Sequence, residues 1–232
     1  MEKRDIEIRR NIVEQSLMAA KDFARAHLRA VAYAVAGLLA AIALVIAGIV
    51  VYNSVEDKDL ASFELILDRY RGSAGPQGAE REARFAKTVQ ELEAVVRGSY
   101  WGYVHTNGYY IIGGLCYGER RYAEAGKYYL RFFEGSPRSF FAPLGLQQAA
   151  RCSEQLGDLK EATRLYLLLE KKYGEGIIAD QILYDMGRMR QQQGEIFKAR
   201  EYYNKLIVSH PRSSFVQKAR ERLMLLGQGE RM

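Results

Sequence analysis

Histidine and cysteine are scarce in this 232-residue chain, with only three histidines and two cysteines. Cys116 and Cys152 stand apart, with no CxxC pair and no nearby histidine, so their spacing does not favour a zinc site. They could form one disulfide in an oxidising compartment, or could be two small residues packed in a core. No nucleophile-elbow, zinc-protease, phosphate-loop or dinucleotide-binding motif is present. We therefore expect no enzyme activity, no metal and no cofactor.

Proline is also rare, with 4 residues, whereas Ala, Leu, Glu, Arg and Lys are abundant. This composition favours helix over strand and predicts an all-α fold. The net charge is +6, but basic residues alternate with acids, as in Lys-Glu-Ala-Thr-Arg at 160–164. Such mixed patterns are typical of solvated helix faces, so we expect no nucleic-acid partner.

A charge-free run extends from Val31 to Tyr52. As a helix rising ~1.5 Å per residue it covers roughly 33 Å, enough to cross a membrane. It exceeds the ~7–15 residues of a signal-peptide core, which favours an uncleaved transmembrane signal anchor over 31–52. Lys21, Arg25 and Arg29 precede the run, and an acidic segment at 56–59 follows it. The positive-inside bias thus predicts a single-pass protein with a cytoplasmic N-terminus and an extracytoplasmic C-terminal domain.

The N-terminal tail, residues 1–30, has apolar side chains at roughly helical spacing among charges, at Ile6, Val13, Leu17 and Leu28. Two interpretations remain open. The tail is either a short amphipathic cytoplasmic helix on the membrane surface or a solvated, partly ordered segment.

A pattern with a period of 37 residues follows the apolar run, and segments 107–139, 144–176 and 181–213 align without gaps. The matched columns are small residues (Gly113, Ala150, Gly187), alanines (Ala125, Ala162, Ala199), tyrosines (Tyr129, Tyr166, Tyr203), large apolar residues (Phe132, Leu169, Leu206) and helix-ending residues (Pro137, Gly174, Pro211). A small residue lets a second helix cross closely, while the tyrosine and apolar columns fill the space between neighbouring hairpins. Proline and glycine stop the second helix.

The pattern predicts repeats at 106–139, 143–176 and 180–213, within a domain that covers 53–232. A degenerate repeat is expected at 59–98, with helices at 59–71 and 80–97 separated by a Gly-, Ser- and Pro-bearing loop at 72–78. Residues 214–227 suit a terminal capping helix.

These columns resemble the tetratricopeptide repeat, which is usually ~34 residues long. The extra residues here fall at the junctions between hairpins. The resemblance implies an α-solenoid whose first helices line a concave groove that binds proteins or peptides. Carried over from the alignment, the inward residues are Tyr110, Tyr117, Gln147, Arg151, Glu154, Tyr184, Arg188 and Gln191. Tyrosine and arginine are the types most enriched where binding energy concentrates.

The order of tail, span and repeat domain, opening with Ala61-Ser62-Phe63-Glu64-Leu65, is also similar to a bacterial envelope family. In that family the protein is an ancillary subunit of the Sec translocon and assists periplasmic folding. The resemblance implies an inner-membrane location, a periplasmic domain, lipid contact through the span, and the translocon or nascent envelope proteins as partners. The alternatives are a scaffold in outer-membrane assembly or Tol-Pal-like division machinery, and a tether in a eukaryotic organelle.

Overall fold

The computed structural model describes residues 14–23, 25–72 and 78–228. The chain divides into two compact units, Met1–Asp57 and Lys58–Met232. Every regular element in the described residues is a helix, which confirms the predicted all-α fold. The predicted amphipathic tail lies partly on residues 1–13, outside the described residues. Residues 14–23 are helical and exposed.

Helix α1, Leu28–Gly72, contains the apolar run. The helix is long enough and apolar enough to cross a membrane. Its most apolar stretch of 18 residues contains no buried residue. A signal sequence near an N-terminus meets the same criteria, so this helix is compatible with the anchor at 31–52 rather than specific for it. The sequence predicts a separate helix at 59–71, but the structure has one continuous helix. Residues 53–58 contain neither proline nor glycine, and nothing there interrupts the helical hydrogen bonding.

The second unit continues with eight helices in its described part: α2 Ala79–Gly98, α3 Gly102–Gly118, α4 Tyr122–Gly135, α5 Ala142–Gln155, α6 Leu159–Tyr173, α7 Ala179–Gln192, α8 Ile196–Ser209 and α9 Phe215–Gln228. From α2 onward each helix packs against the next one, and α9 also reaches α7. The pairs α3/α4, α5/α6 and α7/α8 overlap the segments predicted as repeats, and the repeat boundaries stay a prediction. Such nearest-neighbour packing is typical of a solenoid.

The small residues of the first helices lie under aromatic rings of the second helices. A Cβ atom added at Gly187 would lie 2.5 Å from Tyr203 Cε1, and one added at Gly113 would lie 2.9 Å from Tyr129 Cδ1. The alanine column, Ala125, Ala162 and Ala199, is wholly buried at the same crossings. Close approach of the paired helices therefore depends on small side chains on both sides of each crossing.

The turn inside each hairpin contains one residue with a left-handed backbone. In the second and third hairpins it is Gly157 (φ 75°) and Gly194 (φ 76°), and in the first hairpin it is Arg120 (φ 59°). These positions are 37 residues apart. Glycine adopts this conformation without steric cost, whereas a side chain at Arg120 is strained.

Candidate partner-binding surface

The eight residues predicted from the repeat alignment lie on the first helices of the three hairpins. Helix α3 carries Tyr110 and Tyr117, α5 carries Gln147, Arg151 and Glu154, and α7 carries Tyr184, Arg188 and Gln191. Equivalent positions on successive hairpins share one face, because the residues recur at the repeat period. We call this face the first-helix surface.

A buried hydrogen bond joins α5 to α7 at the centre of this surface. Gln147 Nε2 donates to Asp185 Oδ2 at 2.5 Å, and the two residues are only 1% and 2% exposed. Arg151 Nη2 also donates to Asp185 Oδ2, at 3.4 Å. Asp185 was absent from the predicted set, and it is the acceptor on which two of the predicted residues converge.

A second interaction connects the same two helices. Arg188 Nη2 donates to both carboxylate oxygens of Glu154, at 2.8 and 2.7 Å, and to Tyr166 Oη at 3.3 Å. Its guanidinium also lies 3.7 Å from Asp185 Oδ1. Burial raises the pKa of Glu154, and the Arg188 guanidinium opposes that rise. Although burial disfavours the charged form of Arg188, its contact with Glu154 raises its pKa.

This polar network has two arginines and two carboxylates, so its formal charges balance. The Oε1 atom of buried Gln147 has no hydrogen-bond partner among the described residues. The side chains of Arg151 and Arg188 remain 31% and 28% exposed, whereas those of Asp185 and Glu154 are 3% and 7% exposed. Solvent therefore meets the guanidinium groups, and the carboxylates lie beneath them. A ligand approaching this surface would meet donors before acceptors.

The predicted tyrosines are half-buried and pack against second-helix aromatics, Tyr110 and Tyr117 edge-on and Tyr184 with its ring tilted. Tyr110 lies 5.4 Å from Tyr129 and Tyr117 lies 5.1 Å from Tyr122, measured between ring centroids. Tyr184 lies 5.9 Å from Tyr203. Burial raises the pKa of Tyr110 and of Tyr117, so both phenols stay protonated and can donate. Aromatic contacts of this kind hold each ring in place while leaving part of it exposed.

Gln191 completes the predicted set, and its Oε1 accepts a hydrogen bond from Tyr203 Oη at 3.1 Å. All eight predicted residues thus contact neighbouring elements of the fold. Gln147 is inaccessible in this conformation, because its amide is buried and its nitrogen is committed to Asp185. The role of the set in binding a partner stays a prediction.

An apolar cleft of about 490 Å³ adjoins the first-helix surface at α3. Its lining residues are Leu67, Tyr70, Arg71, Tyr110, Ile111, Gly114, Leu115, Gly118 and Glu119. Tyr110 therefore belongs both to the predicted set and to a concavity that a side chain could enter.

The two cysteines are buried free thiols. Burial raises the pKa of Cys116 and of Cys152 to about 12. Within the described part of the chain, no group of three or more His, Cys, Asp or Glu residues is placed to hold a metal ion.

In the comparison with protein families, residues 181–213 match the tetratricopeptide repeat. These residues form most of α7, all of α8 and the turn after them. The chain contains a tetratricopeptide repeat. No curated protein matches the sequence. The match supports a tetratricopeptide protein and confirms the repeat class predicted from the 37-residue pattern, while the narrower envelope family stays a prediction. Tetratricopeptide repeats are protein–protein interaction modules, and α5/α6 and α3/α4 present equivalent columns beside the matched repeat.

Proposed function

We propose that this chain is a membrane-anchored tetratricopeptide module that binds other proteins and assists protein translocation or folding at the bacterial inner membrane. The matched repeat at 181–213 and the first-helix surface are the main support. The protein catalyses no reaction in this proposal and needs no cofactor.

The chemistry of the first-helix surface suits an extended peptide. Arg151 and Arg188 present partly exposed guanidinium donors, and half-buried tyrosine rings flank them on α3 and α7. Arginine and tyrosine can contact many sequences through backbone carbonyls and apolar side chains. A surface of this kind suits a module that meets varied unfolded chains.

The proposed anchor is the apolar part of α1, residues 31–52. Its length, its freedom from charge and the basic residues before it support a single span with the repeat domain outside the cytoplasm. An anchor of this kind would keep the binding surface close to the site where new envelope proteins emerge.

Crosslinking from the first-helix surface in living cells tests the proposal. A photoreactive residue would replace Gln192, which is exposed at the end of α7 and follows Gln191 of the first-helix surface. The products would be identified by mass spectrometry. We expect crosslinks to translocon subunits and to nascent envelope proteins. Crosslinks confined to cytoplasmic proteins would contradict the location, and turnover of a small substrate by the purified chain would contradict the binding role.

The alternative is a structural scaffold in outer-membrane assembly or in Tol-Pal-like division machinery. The same tetratricopeptide repeat supports it, because these repeats also hold assemblies together. In the same crosslinking experiment it predicts outer-membrane or division proteins as the dominant products, without nascent chains.

A further inference from the structure

Three aromatic residues at the junction of α2 and α3 are exposed together. Tyr100 is 78%, Trp101 38% and Tyr103 47% exposed. The rings of Tyr100 and Trp101 lie 6.3 Å apart between centroids. Single exposed apolar residues are ordinary, but three amphipathic aromatics within four positions form a patch. We call Tyr100, Trp101 and Tyr103 the aromatic patch.

The backbone beneath the aromatic patch is fixed by hydrogen bonds. Ser99 is buried, its Oγ donates to Val95 O at 2.9 Å, and its carbonyl oxygen lies 2.8 Å from His105 Nδ1. Thr106 Oγ1 donates to Gly102 O at 2.9 Å. These hydrogen bonds make the junction between α2 and α3 rigid. The aromatic patch is therefore already ordered, which lowers the entropy cost of binding through it.

Tyr103 lies beside the part of α1 that opens the second unit. It lines a cleft of about 480 Å³ together with Leu60, Phe63, Glu64, Leu67, Asp68, Arg71 and Ile111. Leu60 follows the apolar run closely, since the run ends at Tyr52. Eight residues span at most about 28 Å in any conformation. If the run crosses a membrane, Leu60 must therefore lie within about 28 Å of the bilayer. Tyr103 lines the same cleft as Leu60, so this cleft stays near the bilayer as well.

The chemistry of the aromatic patch matches the headgroup layer of a bilayer. Tyrosine and tryptophan combine an apolar ring with one hydrogen-bonding group, and both are enriched at membrane–water interfaces. Charged groups of both signs lie near the patch. Glu64, Asp68 and Arg71 line the cleft with Tyr103, and Arg97 lines a neighbouring cavity with Ser99. Mixed charge suits a zwitterionic headgroup layer and provides no strong attraction for a highly charged protein surface.

We propose that the aromatic patch docks the repeat domain on the lipid headgroups of the membrane in which the chain is anchored. This inference rests on the proposed anchor at 31–52. Docking would restrict the orientations of the repeat domain and hold its first-helix surface at a defined height above the bilayer.

Trp101 is the only tryptophan in the chain, so tryptophan fluorescence of the full-length protein reports on the aromatic patch alone. The protein would be reconstituted in phosphatidylcholine vesicles, some of them carrying a nitroxide near the top of the acyl chain. Flotation would first show whether the chain is anchored. The matched reference is the double variant Trp101→Phe/Phe197→Trp, because Phe197 is 81% exposed on the distant helix α8.

We expect nitroxide lipid to quench Trp101 at least about twofold more than the tryptophan at 197, with the opposite order for a water-soluble quencher. Anchored protein whose Trp101 is quenched no more than the reference would contradict the docking and leave the anchor intact. Protein that fails to float with vesicles would contradict the anchor and the docking together. Far-UV circular dichroism of both proteins controls for misfolding.

Discussion

Gln147 and Asp185 share a 2.5 Å hydrogen bond inside the contact between two successive hairpins, where both are almost fully buried. Burying a carboxylate in a stack that is otherwise apolar is costly unless its oxygens are satisfied. Here Gln147, Arg151 and Arg188 surround it, and all of them come from first helices. The network therefore favours one register of α7 on α5, since a shifted register would leave the carboxylate unpaired.

Replacing Asp185 with alanine should destabilise the repeat domain by about 3 kcal/mol, because it leaves a buried amide and two arginines without their shared acceptor. Asp185→Asn keeps an acceptor for Gln147 and should cost less. Urea unfolding of the detergent-solubilised chain, followed by circular dichroism at the helix band, measures both effects. Glu175→Ala, at an exposed position, is the control and should change little. Equal stability of Asp185→Ala and the control would show that the network contributes nothing.

Gly187→Ala should destabilise the domain by about 1–3 kcal/mol, since the new methyl group would overlap the buried ring of Tyr203. The same exchange at Gly114 is the matched control. Its added Cβ would be 3.7 Å from Tyr129 Oη, an ordinary contact, so helix propensity should make Gly114→Ala neutral or slightly stabilising. The urea midpoints of the two variants should therefore move in opposite directions or differ clearly. Matching midpoints would argue against close crossing at Gly187.

Arg120→Gly should stabilise the domain by roughly 0.5–1 kcal/mol, because it relieves a side chain from a left-handed backbone. For a domain of this size the thermal midpoint should rise by about 2–4 °C per kcal/mol. The reverse exchange, Gly157→Arg at the equivalent turn, should lower the midpoint. A decrease for Arg120→Gly in a calorimetric scan would mean that the arginine makes contacts outweighing the strain.

Neither cysteine should react with a water-soluble maleimide at neutral pH while the protein is folded. Their thiols are buried and their pKa is raised to about 12, so the reactive thiolate is scarce. Both should be labelled rapidly in denaturant, as counted by intact-mass spectrometry. Fast labelling of the native chain would contradict the packing around α3 and α5.

The repeat pattern predicted most of the helix pairs because each column has one packing role that depends only on local spacing. Ala162 and Tyr166, for example, are buried where their columns place them. Asp185 escaped prediction because its column holds Ile111 and Gln148 in the other hairpins, so no recurring residue type marks it. Its only sequence signal was an acid between Tyr184 and Met186 on an apolar stretch. Its burial depends on Gln147, which lies 38 residues earlier in the chain.

The continuity of α1 was missed for a related reason. The acidic residues at 56–59 indicated the end of the apolar run, but a change of polarity does not end a helix when no proline or glycine is present. The repeat pattern also could not predict the positive φ at Arg120. Its column contains glycine in the other two hairpins, which identifies the turn without showing that arginine adopts the same backbone.

A photocrosslinking scan over both helices of two hairpins tests most directly whether the first-helix surface is where partners bind. The photoreactive residue would be placed in turn at Gln155 and Gln192 on first helices and at Leu167 and Phe197 on second helices, all of them exposed. We predict partner crosslinks at the first-helix positions in at least about fivefold greater yield, because hot spots cluster within one patch. Equal yields at all four positions, or greater yields at Leu167 and Phe197, would contradict it.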